Sequence, residues 1–161
     1  MLVKHNISPI YNKYSKILIL GSMPSIVSRK ENFYYAHKQN RFWKILSIIF
    51  KVDFNSIEDK IDFLIDYKIA LFDIIKECEI EGSNDSSISN VIVNDIEFII
   101  KNSNIKYILC TGKTSFNLYN KFFNHLNLEC YFLPSPSSAN ATYDLKRLVN
   151  EYSIIKNLLA K

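Results

Sequence analysis

Residues 32–43 read NFYYAHKQNRFW and gather Tyr34, Tyr35, His37 and the amide of Asn40 beside the chain's single tryptophan, Trp43. A half-buried strand would alternate polar and apolar residues, and a helix would space its apolar residues three and four apart; the run begins as neither. Phe42 and Trp43 do fit a helix, because with Leu46 and Ile49 they take the spacing of one buried face. Tyr34, Tyr35, His37 and Asn40 precede or open that helix. A flat ring beside a hydrogen-bonding amide at a loop–helix junction suits a pocket for an extruded nucleobase, with the ring stacking on the base.

Other stretches carry weaker chemistry. In ILILGSMPS (17–25) a glycine directly after a buried strand lets the backbone approach a ligand, and Pro24 stiffens the turn, but the spacing is not that of a dinucleotide fingerprint. In FLPSPSSAN (132–140) serine hydroxyls and backbone N–H groups suit phosphate oxygens, and the two prolines would hold the loop outward as a wedge; a capped turn accounts for the same residues. CTGKTS (110–115) ends like a phosphate-binding P-loop, yet Tyr107 stands where that motif needs its first glycine, so Gly112 reads as a turn with Thr114 or Ser115 capping a helix. GSNDSSISN (82–90) reads as a surface turn and helix entry without chemistry. His5 and His125 have no visible partners. Glu77 and Glu79 flank Cys78 and are read as facing apart, which leaves paired-carboxylate hydrolysis of sugars without support.

The elements that must position these residues alternate. Buried strands are expected at 16–20, 69–72, 107–110 and 130–133, and helices at 41–50, 57–67, 95–101, 115–126 and about 143–159. Alternation implies right-handed crossovers and an α/β three-layer α/β/α sandwich around a central four-stranded, mostly parallel sheet. Ligands of such sheets bind beyond the carboxyl ends of the strands, so the loops after the first and fourth strands belong at one edge.

The whole chain sets bounds. Its 161 residues fit a single domain, 1–161, within the roughly 100–200 residues typical of one. A content of 48% hydrophobic and 22% charged residues is globular. No apolar run approaches the roughly 20 residues of a membrane span, so no membrane partner and a cytoplasmic location are expected. Cys78, Cys110 and Cys130 lack CxxC spacing, which speaks for buried thiols and against disulfides, zinc or iron–sulfur clusters. Net charge is only +4, but residues 29–52 hold six Lys/Arg against Glu31 alone, whereas 53–97 hold twelve Asp/Glu against three Lys. A positive face with an acidic back follows if the basic segments, 29–52 and 98–161, meet in space.

Taken together, GSMPS after the first strand, FYYAHKQNRFW, CEIEGSNDSSI in the middle and LPSPSSAN after the last strand resemble the uracil-DNA glycosylase superfamily. The resemblance is closer to its hypoxanthine-DNA (deoxyinosine) glycosylase branch, which is related to the G/U mismatch-specific enzymes. It spans nearly the full length, with four motifs in order, and the expected strand and helix order agrees with that superfamily's sheet.

The resemblance implies a monofunctional enzyme that removes a deaminated base, hypoxanthine, from DNA by hydrolysing its N-glycosidic bond. It implies a base pocket of Ser22, Met23, Tyr35 and His37, with the Tyr35 ring stacking on the base, His37 bonding the base or bracing the loop, and backbone N–H groups around Ser22 and Met23 supporting charge on the leaving group. It further implies that Ser135, Pro136, Ser137, Ser138 and Asn140 grip the DNA backbone. The uracil and mismatch branches carry Asp or Asn where this chain has Met23, and the hypoxanthine branch moves the catalytic role to Asn40. As a neutral amide, Asn40 would position water or bond the base rather than take a proton. Lys38 stands where relatives often have proline, and Pro136 where they often have Thr or Gly. The partner implied is DNA containing a deaminated base; no cofactor or metal and a monomeric state are expected. The alternatives are a G/U mismatch-specific uracil glycosylase, against which Met23 argues, and a noncatalytic nucleic-acid-binding protein of the same fold.

Overall fold

A computed structural model describes residues 1–161. In chain order the elements are β1 (Leu2–Lys4), β2 (Ile17–Gly21), α1 (Ile26–Glu31), α2 (Phe42–Phe50), α3 (Ile57–Asp66), β3 (Ile69–Asp73), β4 (Ile75–Glu79), β5 (Ser89–Val93), α4 (Ile96–Lys101), β6 (Tyr107–Thr111), α5 (Lys113–Phe123), β7 (Glu129–Leu133), α6 (Leu145–Tyr152) and α7 (Ile154–Leu159). Strands β3-β2-β6-β7 form a parallel sheet, with Ile17 opposite both Ile69 and Tyr107. Every residue of β2 and β3 is buried, as befits apolar runs covered on both faces. The result is the expected three-layer α/β/α sandwich. Helix α3 lies against β3, α5 against β6 and β7, α7 against β2, and α2 against α6.

Local chemistry explains where α2 begins and ends. Asn40 Oδ1 accepts the Phe42 N–H at 2.9 Å at the start of α2, and Lys51, in the left-handed region at φ 55°, ends it. One face buries Phe42, Trp43, Ile45, Leu46 and Phe50. Trp43 stacks on Phe33 with ring centroids 5.7 Å apart, and its Nε1–H donates to the Tyr34 carbonyl at 2.9 Å. Phe42 and Trp43 therefore anchor the aromatic run in the core, as their spacing implies.

Three features depart from expectation. A second, antiparallel sheet, β1-β4-β5, packs a small core of Val3, Met23, Ile75, Cys78 and Ile80. Its strands are short and each carries an exposed polar residue, so they lack the apolar run that marks the main sheet. Glu77 and Glu79 are two apart in β4, which sets them on one face rather than apart, and neither borders the cleft described below. The final helix divides at Ser153, whose Oγ donates to the Val149 carbonyl at 2.8 Å.

Candidate active site

A cleft of about 730 Å³ opens beyond the carboxyl ends of the parallel strands. Gly21–Ser25 follow β2 into it, Asp73 ends β3, Thr111–Thr114 follow β6, and Pro134–Ser137 follow β7; Tyr34, Tyr35 and Asn40 form another wall. Its size lies within the roughly 300–1,000 Å³ of small-molecule sites.

Tyr35 holds φ at 53°, a backbone region that an aromatic residue enters only when packing compels it. Phe42 supplies that packing, with ring centroids 3.9 Å apart and planes 15° from parallel. The Tyr35 hydroxyl pairs with Thr111 Oγ1 at 3.1 Å, and burial, aided by the charge of Asp73, pushes its phenol well above the usual value. Tyr35 is thus a fixed, neutral ring. Asn40 lines the cleft with its amide oriented: Oδ1 takes the Phe42 N–H, and Nδ2 has no acceptor in the protein. Its free groups are therefore two donors.

His37 does not join them. It is exposed, lies outside the cleft and accepts the Gln39 N–H on Nδ1 at 3.1 Å, so it braces the turn. Ser22 donates from Oγ to Asp85 Oδ2 at 2.9 Å. Met23 is 8% exposed and belongs to the small core against β4, although it also borders the cleft. The backbone N–H groups of Ser22 and Met23 meet no acceptor in the protein and remain available.

The loop after β7 is tighter than an outward wedge. Pro136 is buried, and the exposed tip is Ser138 and Ala139. Ser135 Oγ accepts the Ser137 N–H and Ser137 Oγ accepts the Ala139 N–H, both at 3.2 Å, while Asn140 Nδ2 donates to the Ser135 carbonyl at 3.0 Å. These side chains shape the loop first; Ser138 lies outside the cleft.

Two carboxylates that no local spacing marks also line the cleft. Asp73 Oδ2 takes a hydrogen bond from His5 Nε2 at 2.8 Å, with both side chains nearly inaccessible, so His5 does have a partner. Asp73 Oδ1 lies against Gly21: a Cβ there would sit 2.5 Å from it, so only glycine leaves the carboxylate its place. Asp85 comes from the stretch read as a plain surface turn. Both belong to the acidic segment 53–97, which the charge pattern assigns to the back of the molecule; part of it is instead inside the cleft. The two basic segments do meet, where Arg41 binds the loop after β7, and Lys113 stands at the cleft.

The family model of the uracil DNA glycosylase superfamily matches residues 8–158. The chain belongs to the uracil DNA glycosylase superfamily. It is 34% identical over 141 residues to a hypoxanthine DNA glycosylase of Methanosarcina barkeri, covering 85% of this chain and 88% of that one. A hypoxanthine DNA glycosylase of Methanosarcina acetivorans is 27% identical, covering 91% and 94%. A solution NMR structure from M. acetivorans, described as a candidate uracil DNA glycosylase, superposes with a TM-score of 0.84 at 27% identity over 98% of this chain and 99% of that one.

Met23 itself brings no hydrogen-bonding side chain to the first loop, while Asp73 and Asp85 bring charge from elsewhere. Asp85 is exposed as a residue, but its carboxyl sits at the cleft wall, where partial desolvation pushes it up, the Ser22 hydroxyl pulls it down, and the charge of Asp73 adds to the rise. An acid whose folded-state value is raised binds its proton more tightly in the folded state, so its contribution to stability is present at low pH and lost as pH rises through the raised value. Asp85→Asn, which keeps an acceptor for Ser22, is therefore expected to raise Tm slightly more near pH 7 than near pH 4, the difference being small because Asp85 is exposed and solvent screens its charge. Equal shifts in melts at the two pH values would sink the burial account.

Proposed function

We propose that this member of the uracil DNA glycosylase superfamily hydrolyses the N-glycosidic bond of hypoxanthine in DNA as a monofunctional glycosylase. The observation that carries the reading is the convergence on one cleft of a fixed aromatic ring, Tyr35, an oriented amide, Asn40, and the unpartnered N–H groups of Ser22 and Met23. The names of the relatives supply the substrate.

Each group then has a role. The flipped base stacks on Tyr35, which supplies sequence-tolerant affinity of about 1–3 kcal/mol. The floor beside Gly21 presents Asp73 Oδ1, an acceptor, to the N1–H that hypoxanthine has and adenine lacks. As the glycosidic bond lengthens, negative charge grows on the base and positive charge on the sugar. The Ser22 and Met23 N–H groups face the first, and the Asp85 carboxylate lowers the energy of the second. The Asn40 donors hold the attacking water or the base edge; a neutral amide does not deprotonate water, so its contribution is positional. Uracil is the second reading, because its N3–H can meet the same acceptor.

The deciding experiment is a panel of duplexes carrying hypoxanthine, uracil or xanthine, each incubated with the protein and divided between alkali and neutral quench. Breaks at hypoxanthine that need alkali are expected. Breaks without alkali would remove the monofunctional assignment, and no break at any base would reduce the protein to a DNA-binding module. Affinity for the duplex is also expected to fall with salt, with a log–log slope of about −0.9 for each phosphate neutralised. A flat titration would exclude phosphate contacts by the basic segments.

A further inference from the structure

Arg41 follows Asn40 directly, and its guanidinium is held entirely by main-chain carbonyls of the loop after β7. Nη2 donates to Ser137 at 2.6 Å and Asn140 at 3.1 Å, Nη1 to Tyr143 at 2.5 Å, and Nε to Pro136 at 3.3 Å. The Arg41 backbone N–H also donates to Pro136, at 3.0 Å. The protein's ion pairs involve other residues, so this cation is met by dipoles alone. Such an arrangement needs the planar fork of arginine; a lysine ammonium on a flexible stem cannot span four carbonyls in these directions.

Two consequences follow from the geometry. In a trans peptide the C=O and the next N–H point to opposite sides, so the Ser137 carbonyl turned in toward Arg41 turns the Ser138 N–H out. That N–H has no acceptor in the protein and sits at the exposed tip, where a phosphate oxygen would find it. At the same time the Arg41 main chain is pinned to Pro136, and the residue pinned with it is Asn40.

We propose, on the reading of the cleft as a base-excising site, that Arg41 is a positioning residue that couples the grip of the loop after β7 on the DNA backbone to the placement of the Asn40 amide. When DNA seats on the loop, the carbonyl cradle moves as a unit and carries the start of α2 with it. The loop therefore acts on the reacting centre through one guanidinium.

The test uses the ¹⁵N-labelled full chain and a duplex containing a tetrahydrofuran abasic analogue, which is not cleaved. In the wild type the Asn40 side-chain amide resonance is expected to shift together with the Ser138 N–H. In Arg41→Lys, which keeps the charge, the Ser138 signal still shifts and the Asn40 signal does not. The single-turnover rate on a hypoxanthine duplex falls by about 30-fold while Kd changes less than about threefold, as a misplaced but intact catalytic group requires. An Asn40 shift that persists in Arg41→Lys, a rate within threefold of wild type, or a loss confined to Kd overturns the coupling. Should Arg41→Lys fail to fold, the Arg41 Nε–H in the wild-type titration decides: movement in step with Asn40 supports the proposal, and a stationary signal overturns it. A wild type that binds the duplex but cleaves no hypoxanthine defeats the glycosylase reading separately.

Discussion

Asn40→Ala is expected to slow hypoxanthine release by about 10²–10³-fold, the scale of losing one preorganised donor, with little change in the Kd for the same duplex. Single-turnover kinetics and a binding titration check both halves. The substitution also removes the acceptor for the Phe42 N–H, a cap-like bond whose loss costs about 1 kcal/mol, so a fall in Tm accompanies it. Asn40→Asp separates the two effects. It retains an oxygen for the Phe42 N–H and loses both donors, and it is expected to restore Tm while staying as slow as the alanine variant. An aspartate variant as fast as wild type would show that the site needs an acceptor there, and the role assigned to the Nδ2 donors would be lost.

Asp73 carries the second large effect. Wild type is expected to excise hypoxanthine at least tens of times faster than 1-methylhypoxanthine, because a site built around an acceptor discriminates strongly against an analogue that lacks the matching donor. Asp73→Asn keeps the shape but offers either an oxygen or an NH₂ to the base. The rate on hypoxanthine should drop by about 10–100-fold, and the preference over the methylated base should narrow. Equal wild-type rates on the two bases would remove Asp73 from base recognition while leaving the glycosylase reading intact. Asp73→Ala is the poorer probe, since it strands the buried His5, whose side chain is 3% exposed, at a cost of about 1–3 kcal/mol.

Much of this architecture was legible in the residues. The runs of β2, β3, β6 and β7 are apolar and short and are separated by helical spacing, so the sheet and the edge that bears the cleft followed. Phe42 and Trp43 declared their buried face by periodicity. Asn40 and Tyr35 stood out because ordinary core packing has no use for an amide and a phenol at a helix entry. What stayed hidden depends on chain crossing. His5 meets Asp73 across 68 positions, and no local spacing announces such a pair. Asp85 sits among serines and asparagines that also make a good turn, and only the return of that turn to Ser22 distinguishes it. Arg41 reads as one more basic residue until five hydrogen bonds place it under the loop after β7. His37, conversely, looked chemical by type alone and is turned to solvent.

The strand order β3-β2-β6-β7 bears on how the protein acquires activity at all. The first strand of the sheet takes a central position, and its two neighbours begin at residues 69 and 107. Pairings of such long separation bring slow folding, because the loops must close before the contacts reward them. The cleft draws on residues from Gly21 to Tyr143, with His5 behind Asp73, so no early hairpin or helical fragment contains it. Until β7 and the loop behind it have left the ribosome and docked, the cleft therefore lacks one of its walls.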